Sequence, residues 1–176
     1  KIFLDYINSG RSRLSTTTLT CNQAGIRFNN VTDVRNGRAL TAELTNERWN
    51  RKLGYKLPVI KPKTAARRLL RIASKNKFTL FEYYLTDHLG HYRLADEFDK
   101  LFSELDLFLF TLIDELDKKK TTLVICSDHG NLEDLSVKTH TLNPSLTIVS
   151  GKNSEAIFRS VKNITDIKPA IIKYCK

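Results

Sequence analysis

Between residues 77 and 128 two apolar runs flank one long amphipathic stretch, and few topologies accommodate that order. "KFTLFEYYLTD" (77–87) is rich in aromatic residues and leucine, carries β-branched Thr79 and Thr86, and reads as a buried strand. Residues 94–117 set Leu94, Phe98, Leu101, Leu105, Phe108, Leu112 and Leu116 at three- and four-residue steps, the period of one helix face. "DKKK" at 117–120 puts lysines at the negative end of that helix. "TTLVICSD" (121–128) then reads as a second buried strand, and "SLTIVSG" (145–151) as a third. Strand, long helix, strand is a crossover unit, and a crossover joins parallel strands. The expected fold is therefore α/β, a mostly parallel sheet flanked by helices.

The rest of the chain fits around that unit. "IFLDYI" (2–7) reads as a short strand, and the Ser/Thr/Arg-rich run after it as a loop that caps a helix near the Thr cluster. A helix is expected over 37–46, another over 63–76, where apolar and basic residues alternate at helical spacing, and two short ones near 153–161 and 166–175. Pro58 and Pro62 bound a connector, with Pro62 in the first helical turn, where its missing N–H costs nothing. At 176 residues and 41% hydrophobic, the chain supports one core. Residues 1–176 are thus read as a single domain, 1–62 an irregular connector region and 63–176 the core.

Charge and cysteine usage narrow the setting. A net charge of +10 favours an anionic partner. Nucleic acid is disfavoured, because no groove-reading or base-stacking motif accompanies the charge. Arg67, Arg68, Arg71 and Lys75 are candidates for attracting a phosphate ester, against the plainer reading of a solvated helix face. Cys21, Cys126 and Cys175 are odd in number and form no CxxC pair, which argues against a disulfide framework and suits a reducing, cytoplasmic setting. No run approaches the roughly 20 apolar residues that span a bilayer.

The four histidines are confined to two short clusters beside aspartates. "TDHLGH" holds Asp87, His88 and His91; "SDHGNLED" followed by "THTLNPS" holds Asp128, His129 and His140. Both clusters follow expected strands, and in parallel sheets ligands bind in the crevice at the carboxyl ends of the strands. Gly90 and Gly130 are expected to supply tight turns with unusual backbone angles that swing the imidazoles inward. Nitrogen and oxygen donors without thiolate suit zinc, manganese or iron(II).

In the order in which they occur, these elements closely resemble the metal-binding signature of cofactor-independent phosphoglycerate mutases, within the alkaline phosphatase superfamily. "TDHLGH" resembles the Asp-x-x-Gly-His element there, and "NITDIKPAII" (163–172) the closing helix. "GRALTAELTN" and "FTLFEYYLTDHLGH" also look similar to less characterised metalloenzymes near the mutases. The resemblance implies two divalent ions, Mn or Zn. Asp87, His91 and His140 would hold one; Asp128 and His129 would hold part of the other. Asn131, Glu133 and Asn143 match positions that shape the ligand loops, while His88 matches none. The implied activity is phosphoryl transfer on a phosphorylated small molecule, as a phosphomutase or phosphohydrolase.

Members of that family also carry, upstream, a strand ending in a metal-ligating Asp and then a Ser or Thr nucleophile. Here Asp5 and Ser15, Thr16, Thr17 and Thr18 are the nearest candidates, at a short separation. The expectation is that the chain is the C-terminal portion of a longer enzyme with an incomplete sheet, whose apolar edge favours self-association. The alternative is a catalytically inactive metal-binding or interaction module of the same fold.

Overall fold

The long amphipathic pattern produces the backbone of the core. In the computed structural model, which describes residues 15–175, it forms helix α6 (Phe98–Glu115), preceded by a 3-10 turn over Ala95–Glu97. Among the described residues five helices come before it: α1 (Thr16–Gln23), α2 (Val31–Arg35), α3 (Glu47–Leu53), α4 (Pro62–Ala73) and α5 (Leu85–Gly90). Strands β1 (Thr122–Cys126) and β2 (Thr147–Gly151) follow, then α7 (Ser154–Ser160) and α8 (Ile167–Tyr174). The strand expected at 2–7, with Asp5 at its end, lies outside the described residues.

Helix α4 packs along α6. Ala65 and Ala66, both fully buried, let the two helices approach, and Leu44, Phe108 and Leu112 fill the space beside them. Burying side chains such as Phe108 and Leu112 contributes about 1.5–3 kcal/mol each. Leu85, Leu89 and Leu101 form a neighbouring cluster that seats α5 against the start of α6. Through that cluster the core positions Asp87 and His91.

Three expectations are corrected. The observed sheet is antiparallel: β1 pairs with β2 in the register Val124↔Val149 and Ile125↔Ile148. The connection from β1 to β2 is an irregular loop on which the chain doubles back. Residues 77–84 join no ladder among the described residues, and the 77–87 strand gives way to helix α5 from Leu85. Phe81 and Tyr83 of that run pack on the core, whereas Phe78 and Leu80 are exposed. Thr79 Oγ1 is buried without a hydrogen-bond partner.

The helix expected over 37–46 is instead a buried polar knot. Leu44 and Asn46 both adopt positive φ (71° and 69°), which no α-helix permits. Local hydrogen bonding supports the alternative: Thr41 Oγ1 donates to Asn46 Oδ1 at 3.0 Å, and Asn46 Nδ2 donates to the Pro58 carbonyl at 2.8 Å. The Glu43 carboxylate then accepts from the backbone amides of Arg48 and Trp49 at 2.6 and 2.7 Å, satisfying the start of α3. No helix among the described residues is long and apolar enough to cross a membrane.

Candidate metal centre

Asp87 and His91 lie one turn apart on and just after α5, so the helix itself aims both at one point. The first cluster is therefore carried by a helix and not by a loop after a strand. Its carboxylate is the focus of the site. Asp87 Oδ1 lies 3.3 Å from His91 Nε2, 3.5 Å from His140 Nε2 and 3.9 Å from His129 Nε2. Three imidazole nitrogens thus converge on one carboxylate oxygen. The donor atoms of Asp87, His129 and His140 all fall within 4.8 Å of one another.

The other two histidines arrive on the loop between β1 and β2. That loop folds back on itself through an isolated bridge, Gly130 opposite Thr141, with Thr141 N donating to Gly130 O at 2.9 Å. His129 and His140 each immediately precede a residue of this bridge, and their rings stack at 3.5 Å between centroids. The Glu133 carboxylate locks the fold-back. It accepts from the Asn131 backbone amide at 2.6 Å, from Asn143 Nδ2 at 3.1 Å and from the Thr141 hydroxyl. The Thr141 hydroxyl, followed by backbone amides, lowers the Glu133 carboxyl to about 2, so it remains an anionic latch.

A second set of bonds orients His91. Its Nδ1 lies 2.9 Å from the Lys138 carbonyl, the usual partner of a ligating imidazole, which leaves Nε2 toward Asp87. The Tyr92 hydroxyl donates to the Leu135 carbonyl, tying the end of α5 to the same loop. Asn131, 6% exposed, sits between the two elements with Nδ2 3.5 Å from His91 Nε2, while its Oδ1 is buried and unpartnered.

Gly90 and Gly130 act differently from expectation. Neither has positive φ; the glycines that do are Gly25, Gly37, Gly54 and Gly151. Their contribution is space. A Cβ at Gly90 would fall 1.2 Å from Asn131 Oδ1, and one at Gly130 would fall 2.2 Å from Thr141 Oγ1. Both glycines let the ligand-bearing segments close on each other.

The remaining site candidates are dispersed. Asp128 Oδ1 lies 3.5 Å from His129 Nε2, but its side chain is 79% exposed. His88 is half-buried and points to no ligand; burial, the largest effect, lowers its pKa. Ser15 caps α1 by accepting from Thr18 N at 3.2 Å, and Thr17 Oγ1 donates to Glu82 Oε1 at 2.6 Å. Tyr84 stands near both Ser15 and Asp128, and burial, followed by Glu82, raises its hydroxyl to about 12. Sequence reasoning missed Thr141, Tyr84 and the Lys138 carbonyl. Thr141 lies within a quoted motif and was open to notice, whereas a backbone carbonyl has no residue-type signature.

The donor set fits a divalent cation: Asp87, His129 and His140 bring their donor atoms within 4.8 Å of one another, His91 stands 3.3 Å from the same carboxylate oxygen, and no thiolate takes part. Such a constellation, closed by a latched loop, defines a metal-binding domain. The Metalloenzyme superfamily model matches residues 21–176, and the chain belongs to that alkaline phosphatase-like superfamily. No curated protein and no solved structure matches the chain.

Proposed function

We propose that the chain forms the metal-holding part of a phosphoryl-transfer enzyme, a phosphomutase or phosphohydrolase related to cofactor-independent phosphoglycerate mutases, acting on a phosphorylated small molecule. The observation that carries this reading is the convergence of His91, His129 and His140 Nε2 on Asp87 Oδ1. Asp87, His91 and His140 would hold one Mn or Zn ion, and Asp128 and His129 would supply part of the site for a second. When bound, paired ions of this kind stabilise an alkoxide nucleophile and offset the charge on phosphoryl oxygens. The protein's share is orientation: the Lys138 carbonyl fixes the His91 ring, while Glu133, Asn131 and Asn143 hold the loop that presents His129 and His140.

A second reading, a metal-binding module without turnover, is favoured by one feature. The hydroxyls of Ser15 and Thr17 are engaged in capping α1 and in bonding Glu82, and none from Ser15 to Thr18 bonds Asp87, His91, His129 or His140. The expected result is that purified 1–176 chain retains Mn or Zn by elemental analysis yet hydrolyses p-nitrophenyl phosphate negligibly. Robust turnover that disappears in Ser15→Ala or Thr16→Ala would place the nucleophile in this stretch and remove the inactive reading. A metal-free wild-type chain would remove both.

Exposed Phe78 and Leu80, each about 60% accessible beside an unpaired run, support self-association. Light scattering should show mass rising with concentration for wild type and a constant monomer mass for Phe78→Lys. Equal behaviour of the two would discard that surface.

A further inference from the structure

The turn after α2 and the C-terminal end of α4 border an open cavity of about 390 Å³ lined by Asn36, Gly37, Arg38, Arg71, Ile72, Lys75 and Asn76. It shares no residue with the metal centre. Its lining carries three cationic side chains and two amides, and no carboxylate.

Arg71 of the lining and Arg68, which lies behind it against Gly37, form no ion pair among the described residues. A Cβ at Gly37 would meet Arg71 Nη2 at 2.9 Å and Arg68 Nε at 3.3 Å, so both rest against the same glycine. Gly37 has φ +70°, and its lack of a side chain is what admits them. Arg68 Nη1 donates to the Val34 carbonyl at 3.1 Å, and Arg71 Nη2 to the Gly37 carbonyl at 3.0 Å. Those neutral acceptors occupy few of the ten N–H donors that a pair of guanidiniums offers. Of the lining cations, Arg38 is paired with Asp33 at 2.9 Å, and that carboxylate also holds Arg27 at 3.2 Å. Burial and then the charge of Arg71 both lower the pKa of Arg68, the signature of unrelieved crowding. Arg67, the neighbour on α4, is by contrast neutralised by Glu115 at 2.7 Å. Among the described residues Lys75 has no ion pair either.

We propose that this cavity is an anion site, separate from the metal centre, that takes a small phosphate-bearing ligand. A phosphoryl group brings oxygens that accept from forked guanidinium donors, and its charge offsets the mutual repulsion of Arg68 and Arg71. Lys75 supplies a point charge at the rim, and the Asn36 and Asn76 amides supply neutral polar contacts. The small volume suits a compact phosphate ester better than a nucleic-acid strand, which needs an extended groove.

The test is an NMR titration of the whole 1–176 chain, as purified, with inorganic phosphate at low salt. Saturable shifts of the Gly37, Arg38 and Asn76 amides are expected. They should persist in Asp87→Ala, which separates this site from the metal reading. Lys75→Gln, an exposed position that leaves the fold intact, should weaken binding several-fold, and Arg71→Gln by about tenfold, as loss of charge-assisted hydrogen bonds predicts. Shifts that vanish in Asp87→Ala would mean that phosphate binds only at the metal centre, overturning the site. No saturable shift would do the same, as would single-stranded RNA moving these amides where phosphate does not.

Discussion

Asp87→Ala should strip the protein of its tightly held metal, lowering affinity by more than about a hundredfold, since even partners one shell out from a metal are worth 10–100-fold. The reason is geometric. Asp87 Oδ1 lies within 4 Å of all three imidazole Nε2 atoms, so its removal takes away both the anionic donor and the point on which the rings converge. The charge matters as much as the contact, because three neutral imidazoles leave a dication uncompensated. Asp128→Ala provides the contrast. Its side chain is 79% exposed and reaches only His129, so this ion should remain bound while any second, weaker ion is lost. Elemental analysis after desalting, with circular dichroism to establish folding, reads both outcomes. Comparable losses in the two variants would mean that Asp87 is not the focus.

The candidate ligands are legible in the sequence because a metal site is written in residue types. Aspartate and histidine at strand ends or helix turns, with glycine beside them, leave a pattern even when the elements that carry them are misjudged. Asp87 and His91 illustrate this. The apolar run before them suggests a strand end, yet four-residue spacing suits a helix turn equally well, and α5 delivers both to the same point. The apolar run 77–84 misled because burial and strand formation are different properties. Phe81 and Tyr83 are drawn into the core by Phe108 and its neighbours, but a ladder also needs a partner strand, which no composition guarantees. The parallel sheet followed from that reading and failed with it.

Residues 37–46 failed for a different reason. Ala39, Leu40, Ala42 and Leu44 look helical by propensity, but Thr41, Glu43 and Asn46 find better partners in local polar bonds and in the start of α3. Tertiary satisfaction of those groups outweighs propensities worth a few tenths of a kcal/mol per residue. The same limit applied at the site. The Glu133 latch was anticipated as a loop-shaping position, but its partner Thr141 and the Lys138 carbonyl behind His91 depend on the fold-back of one loop, a three-dimensional event with no linear signature.

Gly90→Ala should damage the metal centre without touching a ligand. The new methyl would fall 1.2 Å from Asn131 Oδ1 and 2.4 Å from its Cγ, an overlap that only displacement can relieve. Asn131, 6% exposed, has little room in which to turn its side chain aside. Its backbone amide is held by Glu133 at 2.6 Å, and it follows Gly130, which is bridged to Thr141. A shift of Asn131 therefore carries His129 and the His140 segment away from Asp87. Overpacking of this kind costs about 1–3 kcal/mol, outweighing the roughly 1 kcal/mol that alanine gains over glycine within a helix. Metal affinity should fall at least about tenfold, because the ligands lose their preorganised spacing. Asn131→Ala removes the obstructing atoms, so Gly90→Ala/Asn131→Ala should recover stability and metal relative to Gly90→Ala alone. Such rescue is available only because Gly90 is not one of the positive-φ glycines, so alanine brings no backbone strain of its own. Simple addition of the two single effects would show that the closeness of α5 to the Asn131 loop is not what holds the site together.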